Sequence, residues 1–381
     1  MGQTEPGFLF LGPSDSVRDT SSPMIYSDDG QLVWHGPNIN VSAVQPQTLH
    51  GEPVLAYWQG YNTHKGFGFG SIVIRNSSYD QLYEVTLSQE QGNFFTSYGP
   101  MDSYIDIHES QITDEGTILV TVVNTTRADM SSVGGPKDGW VQDGLFYEID
   151  IKTNKIVFSW SALDHLSEIP MTNVEVPLDG KGKDASDPFS YAHLNSVAKY
   201  GDNYLISSRY MCSIFLLNKT GNVIWHLHGQ EGGDFDLGVG TTFCYQHDAR
   251  FLSQSANKTT MSLHNNENCD FISGTTATTG LVLDLDFESH KVTLNRRMWN
   301  AANPVYSESQ GSYQTLDNDH VLLFHGRDPV VEEYDENGAC VMTARYGFEG
   351  DMQGYRGYRK DWVGRPRTKP SVVACAGNGG G

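Results

Sequence analysis

Apolar and polar residues alternate with a period of two along short stretches of this chain, and Gly, Asn or Asp separates one stretch from the next. Such alternation between turn residues predicts β-hairpins. Each copy of the repeat is a strand, a turn at an Asp or Asn, and a second strand that often ends near Trp. Six copies follow one another at intervals of roughly 50 to 75 residues, near 26–34, 71–87, 146–160, 213–227, 280–298 and 330–345.

Further hairpins lie between these copies, at Pro53–Trp58, Tyr104–Val123, Tyr191–Arg209, Gln246–Asn265 and Ser312–His325. If the six repeats are the outer pairs of four-stranded blades, these are the inner pairs. Residues 1–381 are then a single all-β domain, a six-bladed β-propeller with antiparallel blades around a central channel. The sixth inner pair should come from the C-terminal end, where only Ser371–Cys375 remains. We therefore expect an incompletely closed last blade, or a natural chain that continues past Gly381.

Four long polar or Gly-rich connections interrupt the repeat, at 124–142, 161–189, 228–243 and 348–370. Connections of this length in a compact domain often carry function. We expect them to cover one mouth of the channel.

The composition narrows the class of partner. The chain is 38% hydrophobic and 19% charged, and it has no apolar run long enough to span a membrane. A formal net charge of −21 disfavours binding to nucleic acid or to anionic membranes, which need clustered Lys and Arg. We expect a small-molecule partner, neither nucleic acid nor a membrane, and any anion site must carry its own local positive charge.

Three inner hairpins begin with a histidine in a matched position: His108, His193 and His247. The innermost strand of a blade lines the channel and its side chains alternate between faces, so the three imidazoles should converge. Arg209 closes the second strand of the His193 hairpin. Such a cluster favours a catalytic or binding site over three unrelated histidines.

The spacing of the histidines along the chain disfavours a metal site. The chain has no His-Glu-x-x-His, and its one His-x-His pair, His226 and His228, lies outside the matched positions. Arg209 would also repel a cation. We predict no metal.

Several ordered blocks resemble the arylsulfotransferase-like β-propellers, especially their secreted fungal branch. The resemblance covers nearly the whole chain, through Ser22–Trp34, Pro53–Gly60, His108–Thr113, Gly139–Asp143, His193–Val197, Asn203–Arg209 and Gln246–Arg250. It implies that His247 takes a sulfuryl group from an aryl sulfate and passes it to a phenol, while His108, His193 and Arg209 hold the anion. Nothing is similar to a P-loop for a nucleotide donor, so no cofactor is expected. Substrate contacts are expected from Tyr191, Asn195, Gln246, His264, His325, Trp58 and Phe67.

The chain departs from that family near the channel. Gly66–Gly70 stands where relatives often have Gly-His-Gly, Tyr210–Cys212 replaces a more polar stretch, and His264 stands where Phe is common. Most of these changes enlarge the apolar lining and suggest a bulky hydrophobic ligand. Two further hypotheses therefore stay open. One is a pericyclase, similar to fungal hetero-Diels–Alderases that join a quinone methide to a terpene in tropolone metabolism; the other is a propeller that binds without catalysis.

Five sequons, together with this resemblance, predict a glycoprotein of the secretory pathway, at Asn40, Asn76, Asn124, Asn218 and Asn257. No signal peptide opens the sequence, so we expect it to have been removed.

Cysteine pairing follows from the register of one hairpin. If the residue numbers of two residues that face each other in the Gln246–Asn265 hairpin add up to about 513, Cys244 faces Cys269. The two should then form a disulfide. Two separate thiols stay possible, because a bulge would shift the register. Cys340 could then pair with Cys375, which leaves Cys212 free near Arg209.

Overall fold

A computed structural model describes residues 3–15, 20–63, 65–267 and 276–367, which form strands with very little helix. The first strands are β1 (Phe8–Leu11), β2 (Ser14–Asp15), β3 (Thr20–Ser21), β4 (Met24–Ser27), β5 (Leu32–His35), β6 (Val41–Leu49), β7 (Glu52–Asn62), β8 (Gly68–Arg75) and β9 (Gln81–Val85). After the short helix α1 (Gln89–Gly92) come β10 (Ile105–Ile112), β11 (Thr117–Ala128), β12 (Gly139–Asp150), β13 (Lys155–Ser161), β14 (Phe189–Ser190), β15 (Leu194–Tyr200), β16 (Asn203–Ser208), β17 (Ser213–Leu217), β18 (Val223–His228) and β19 (Asp236–Leu237). The last are β20 (His247–Gln254), β21 (Lys258–Asn265), β22 (Thr279–Asp286), β23 (Lys291–Met298), β24 (Ser312–Thr315), β25 (Val321–Phe324), β26 (Val330–Tyr334), β27 (Cys340–Arg345), β28 (Met352–Gln353) and β29 (Gly357–Lys360).

The strands pair in antiparallel runs of four: β29-β1-β4-β5, β6-β7-β8-β9, β10-β11-β12-β13, β15-β16-β17-β18, β20-β21-β22-β23 and β24-β25-β26-β27. β8 and β10 also pair at Gly70 and Ile105, which joins two runs into one larger sheet. β2, β3 and β28 form a small separate sheet. The prediction of an all-β propeller is confirmed. The number of blades stays a prediction, because two of the runs share a sheet. None of the helices in the described ranges is long and apolar enough to cross a membrane.

The apolar core lies between neighbouring runs. Each of six buried clusters joins one run to the next, and the last returns to the first, where Leu9 and Leu11 pack with Leu322 and Phe324. Outer strands alternate between more buried and exposed positions, as in β23, whereas inner strands such as β16 are buried along almost their whole length. Packing on both faces explains why the inner strands are buried along their length, and their many polar side chains therefore need partners inside the protein.

The strand that closes the ring comes from a stretch predicted to be a loop. Residues Gly357–Lys360 form β29, which pairs with β1 so that Phe8 faces Lys360 and Leu11 faces Gly357. The expectation that 348–370 covers the channel is therefore wrong for this part, and Ser371–Cys375 lies outside the described residues. The alternation of β29 was hidden because buried Arg359 occupies a core position, where its guanidinium pairs with the Glu333 carboxylate at 3.1 Å.

Two other predicted loops contain strands. Residues 124–128 and 139–142 are the ends of the twelve-residue strands β11 and β12, whose pairing continues to Ala128 and Gly139. Within 228–243, β19 adds to the edge of β23 in parallel. By contrast 161–189 is a connection with short 3-10 turns at Ala162–His165 and Met171–Asn173.

The predicted disulfide between Cys244 and Cys269 is wrong. Cys244 is bonded to Cys212, with the two Cα atoms 4.3 Å apart, and Cys269 lies outside the described residues. The β20–β21 register explains the error: Ser253 faces Thr260, as a sum of 513 requires, but two bulges intervene and His247 faces His264. Cys212 is therefore not a free thiol. Cys340 is free, and its suggested partner Cys375 is likewise outside the described residues.

Candidate active site

His108 and His193 meet in the buried centre of the propeller. Their Nε2 atoms are 3.1 Å apart, and His108 Nδ1 is hydrogen-bonded to the carboxylate of Asp106, two residues earlier on the same face of β10. Asp106 is itself held by the backbone N–H of Gly68 at 2.9 Å. The carboxylate therefore fixes the His108 ring, and one Nε2–H is shared between the two imidazoles.

His247 is oriented by Asn266. The Asn266 amide donates from Nδ2 to the carbonyls of Ser307 and Gln310, so its Oδ1 faces His247 Nδ1 at 2.8 Å. An oxygen can only accept, hence Nδ1 of His247 carries the proton. Its Nε2 keeps a lone pair, which accepts the backbone N–H of Gln310 at 3.2 Å. The tautomer that leaves Nε2 unprotonated is the one a nucleophile needs.

Arg209 brings a buried positive charge to the same place. Its backbone N–H donates to the His193 carbonyl at 2.8 Å, and its guanidinium donates to the Glu308 carbonyl and lies over the rings of Tyr210 and Tyr245. Its Nε has no partner, and no carboxylate is among the contacts of this side chain in the described ranges. A guanidinium without a counter-ion in a buried site is a ready anion-binding group.

Burial and Arg209 together keep two of the imidazoles neutral. Desolvation is the largest cause that lowers the pKa of His193 and of His247 well below the usual histidine value, and the charges of neighbouring histidines and of Arg209 lower it further. The hydrogen bond that His247 Nδ1–H donates to Asn266 opposes this shift at His247. Both rings are therefore neutral at neutral pH.

The backbone is in unusual conformations beside these side chains. Ala192, Cys212, Tyr245 and Asp248 all have positive φ, near +50°, although none is glycine. Ala192 immediately precedes His193, and Cys212 follows Arg209 by three residues. Tyr245 and Asp248 lie on either side of His247. Left-handed non-glycine residues are uncommon and often mark functional sites.

A cavity of about 270 Å³ is lined by Phe67 and Tyr210, whose rings pack against His193 with centroids 4.4 and 4.6 Å away. Lys65 and Lys181 also line it, and the 161–189 connection supplies part of the wall. This connection therefore borders the cavity, as expected of a loop at the mouth. Asp187 lines the same cavity, 3.5 Å from Lys181 Nζ, so two lysines face one carboxylate and the small positive excess favours an anionic or polarised ligand.

Sequence reasoning missed a buried ion network beside the histidines. Arg356 and Arg250 both contact Glu109, at 3.0 and 2.7 Å, and both face Asp248, at 3.5 and 2.9 Å. Tyr355, next to Arg356, lies edge-on to His108 and His247, with centroids 5.2 and 6.2 Å away. Glu109, Asp248 and Arg250 belong to the two histidine blocks, which was the available signal. Tyr355 and Arg356 lie in the stretch predicted to be a loop and gave none.

The predicted substrate contacts divide into two groups. Phe67 borders the cavity and the histidines. Gln246 and Asn195 support the backbone instead: Gln246 Nε2 donates to the Ser213 carbonyl at 3.0 Å, and Asn195 Nδ2 donates to the Gln246 carbonyl at 2.6 Å.

Tyr191 and Trp58 are fully buried in the packing between sheets, and their polar atoms donate to backbone carbonyls, of Ile169 and Ile105 respectively. The structure places both side chains in the core, because each polar atom needs a buried acceptor and finds one there.

His264 and His325 form a second buried pair, with ring centroids 5.5 Å apart. His325 Nε2 is 3.0 Å from Glu332, and His264 Nδ1 is 3.3 Å from the same Asn266 oxygen that binds His247. Burial lowers the pKa of His264 to about 3. This pair is thus linked to the first cluster through Asn266. Within the described ranges no three or more His, Cys, Asp or Glu side chains gather in a way that suits a metal ion.

Comparison with solved structures yields propellers of low identity. A protein of unknown function from Bacteroides caccae is 14% identical, with a TM-score of 0.48, and the match covers 93% of this chain and 100% of that one. A functionally unknown protein from Desulfotomaculum acetoxidans is 8% identical (TM-score 0.44, 93% and 99% covered), and AztD from Citrobacter koseri is 11% identical (TM-score 0.37, 93% and 99% covered). These values say nothing about activity. No curated protein matches the chain.

The family comparison is more specific. The family model for arylsulfotransferase (ASST) matches residues 45–347, a span that contains His108, His193, Arg209 and His247. That span is most of the 381-residue chain. The chain belongs to the arylsulfotransferase (ASST) family.

Proposed function

We propose that this protein transfers a sulfuryl group between phenolic or other aromatic molecules, through His247 and without a nucleotide donor. The observation that carries the proposal is the position of Arg209, a buried guanidinium with no carboxylate partner, close enough to His193 and His247 for its charge to lower the pKa of both. Such a site attracts an anion and leaves the imidazole lone pairs free. Family membership supports the same chemistry.

The proposed reaction has two displacements at sulfur. First Nε2 of His247 attacks the sulfur of an aryl sulfate, an N–S bond forms, and the S–O bond to the aryl group breaks to release a phenolate. A second phenol then attacks the same sulfur, its oxygen takes the sulfuryl group, the N–S bond breaks, and its proton passes to the released phenolate or to solvent. His247 must exchange its contact with the Gln310 N–H for the sulfur atom.

The neighbouring groups have separate roles in this scheme. The Arg209 guanidinium and the shared Nε2–H of His108 and His193 stabilise negative charge on the sulfuryl oxygens and the leaving phenolate. Asp106 holds His108 in place, and Phe67 and Tyr210 present aromatic surface to an aromatic substrate. Asn266 holds the proton on Nδ1 of His247, so Nε2 stays the reactive nitrogen.

A pericyclase remains the second candidate, and the packing of Phe67 and Tyr210 on His193 favours it. A hetero-Diels–Alderase requires a dry, shaped aromatic pocket and a donor to a developing oxyanion, but no nucleophile. The third candidate is a propeller that binds without catalysis, in which the channel histidines would be dispensable.

The test is intact-protein mass spectrometry after mixing with an aryl sulfate, which should reveal a sulfo-histidine adduct. His247→Ala should abolish the adduct and lower phenol release by several orders of magnitude, whereas His290→Ala, at an exposed histidine, should retain both. Arg209→Met should also suppress adduct formation. Turnover of an aryl sulfate by His247→Ala would contradict the mechanism, and absence of any adduct in the wild type would favour the other two candidates.

We also propose that the six four-stranded runs are six blades and that the protein passes through the secretory pathway. The ring of six core clusters supports the blade count.

The Cys212–Cys244 disulfide supports an oxidising compartment. Asn257 is exposed in a hairpin turn, and the other four sequon asparagines are partly exposed, so we propose all five as glycosylation sites. Peptide mapping after glycosidase treatment in heavy-oxygen water tests each of them.

A further inference from the structure

A second site lies at the opposite end of β20 from the histidine cluster. His247 begins this strand and Gln254 ends it, a separation of about 23 Å along an extended strand. Gln254 lines a groove of about 600 Å³ between the β15–β18 run and the β20–β23 run. The proposed sulfuryl transfer takes place at the histidine cluster and does not use this groove.

The wall of the groove is aromatic. Trp225, Phe235 and Phe287 surround one another with ring centroids 5.8 to 6.5 Å apart, and His290 lies 6.2 Å from Phe235. All four rings line the groove, beside half-exposed Ile224. Trp225 and Phe235 are each 5% exposed, so partly exposed Phe287 and exposed His290 offer most of the π and apolar surface that a ligand could contact.

The charge of the groove is negative. Asp234 is exposed, and no Lys or Arg is among the residues that line the groove. If His290 is counted as neutral, Asp234 carries the one formal charge of the lining. One of its oxygens accepts the His226 backbone N–H at 2.7 Å, which fixes the carboxylate at the edge of the aromatic wall. The protein as a whole carries a formal charge of −21 and adds to the attraction for cations.

Two polar atoms in the wall also lack partners. Trp225 is 5% exposed, and its Nε1–H has no hydrogen-bond acceptor; Gln254 Oε1 is buried without a donor. Buried polar groups are normally paired, and each such exception calls for an explanation.

We propose that this groove binds a small organic ammonium ion, an alkylated amine whose positive head meets the aromatic faces and the Asp234 carboxylate. Aromatic faces with an adjacent carboxylate favour a diffuse, weakly hydrated cation over a metal ion, since a metal requires several oxygen or nitrogen ligands. An anion is disfavoured by Asp234, and an uncharged apolar ligand gains nothing from it.

The test is calorimetric titration with choline and with its uncharged carbon isostere, dimethylbutanol, which has the same shape without the charge. Choline should bind at least about tenfold more tightly, the effect of a desolvated cation on an aromatic face. Asp234→Asn, which can still accept the His226 N–H, should weaken choline binding by about fivefold. Asp236→Asn is the matched control, because it removes an equal charge from an exposed neighbour that does not line the groove.

A second pair of variants tests whether choline binding requires aromatic rings, and both variants keep the apolar volume that folding needs. Phe287→Leu retains apolar volume at a partly exposed position and should weaken choline but not dimethylbutanol, and Trp225→Phe retains a ring and should weaken choline less. Equal binding of choline and its isostere, no choline binding at all, or equal effects of the two Asp→Asn changes would overturn the proposal. None of these outcomes depends on sulfuryl transfer.

Discussion

The disulfide between Cys212 and Cys244 joins the two chain segments that carry the site. Cys212 follows Arg209 by three residues and Cys244 precedes His247 by three, so one covalent bond holds the guanidinium and the proposed nucleophile on a common support. Both cysteines are buried and pack with Tyr245, over whose ring Arg209 lies. The bond thus couples site geometry to redox state.

Replacing this disulfide should destabilise the protein and loosen the site. With a sequence separation of 32, loss of the cross-link in Cys212→Ala/Cys244→Ala should cost about 3–4 kcal/mol of unfolding free energy. Cys340→Ala, at the free cysteine, should cost much less. Denaturant unfolding gives both values, and non-reducing peptide mapping should find Cys212 and Cys244 in one linked peptide. A native protein in which iodoacetamide modifies Cys244 would contradict the pairing.

The buried ion network should be sensitive to loss of one member. Arg356→Met leaves the Glu109 and Asp248 carboxylates facing Arg250 alone, and removal of one partner from a buried ion group typically costs about 3–5 kcal/mol. Urea unfolding measures the loss, and Arg365→Met, at an exposed arginine, is the control.

A double variant decides whether the cost belongs to the ion pair. Glu109→Gln/Arg356→Met should be less destabilised than the sum of its two single changes, because the unpaired charge is removed together with its partner. Strict additivity of the two changes would mean that the Glu109–Arg356 pair contributes no coupling energy.

The sequence predicted the part of this site that recurs along the chain. His108, His193 and His247 occupy matched places in repeated hairpins. Their convergence at one centre could therefore be predicted from the repeat, although no long-range contact was known. Tyr355 and Arg356 could not be found this way. They follow a turn after the last repeat, and their roles depend on contacts to Asn195 and Glu109, more than 150 residues earlier.

The disulfide partner was missed for a local reason. Two bulges in the β20–β21 pairing move the register by two between Ser253 and His247. Each bulge adds one unpaired residue, and nothing in the alternation of this short hairpin marks its position. A register counted from the turn is therefore correct at Ser253 and wrong at Cys244.

His264 should make stability depend on pH below neutrality. Its pKa is about 3 in the folded protein, against an ordinary value near 6.5, so between these pH values the unfolded chain binds a proton that the folded protein does not. Stability is unaffected above about pH 6.5 and should fall as pH is lowered, by about 1.4 kcal/mol per pH unit for one proton.

The measurement compares wild type with His264→Asn by urea unfolding from pH 7 to pH 4. The variant should lack that part of the slope, whatever its stability at pH 7. Identical slopes for wild type and His264→Asn would mean that His264 is protonated in the folded state.

Asp143 should have the opposite dependence on pH. It lies buried at the end of the Gly139–Asp143 block, where Ser161 Oγ donates to it at 2.6 Å and the Leu163 N–H at 3.2 Å. Burial is the largest cause that raises its pKa from the usual carboxyl value to about 7, although both hydrogen bonds lower it. Between these values the folded protein holds a proton that the unfolded chain has lost, so the stabilisation is complete at low pH and disappears as pH rises through 7.

Asp143→Asn removes this titration and keeps an acceptor for the Leu163 N–H, while Ser161 can accept from the new amide. We expect the variant to gain stability relative to wild type as pH rises from 5 to 8, by about 1–3 kcal/mol. Asp164→Asn, which removes an exposed carboxylate near Asp143, is the control for the loss of one neighbouring negative charge. Parallel stability curves for wild type and Asp143→Asn over this range would mean that Asp143 is ionised throughout, with its two donors sufficient to hold the buried charge.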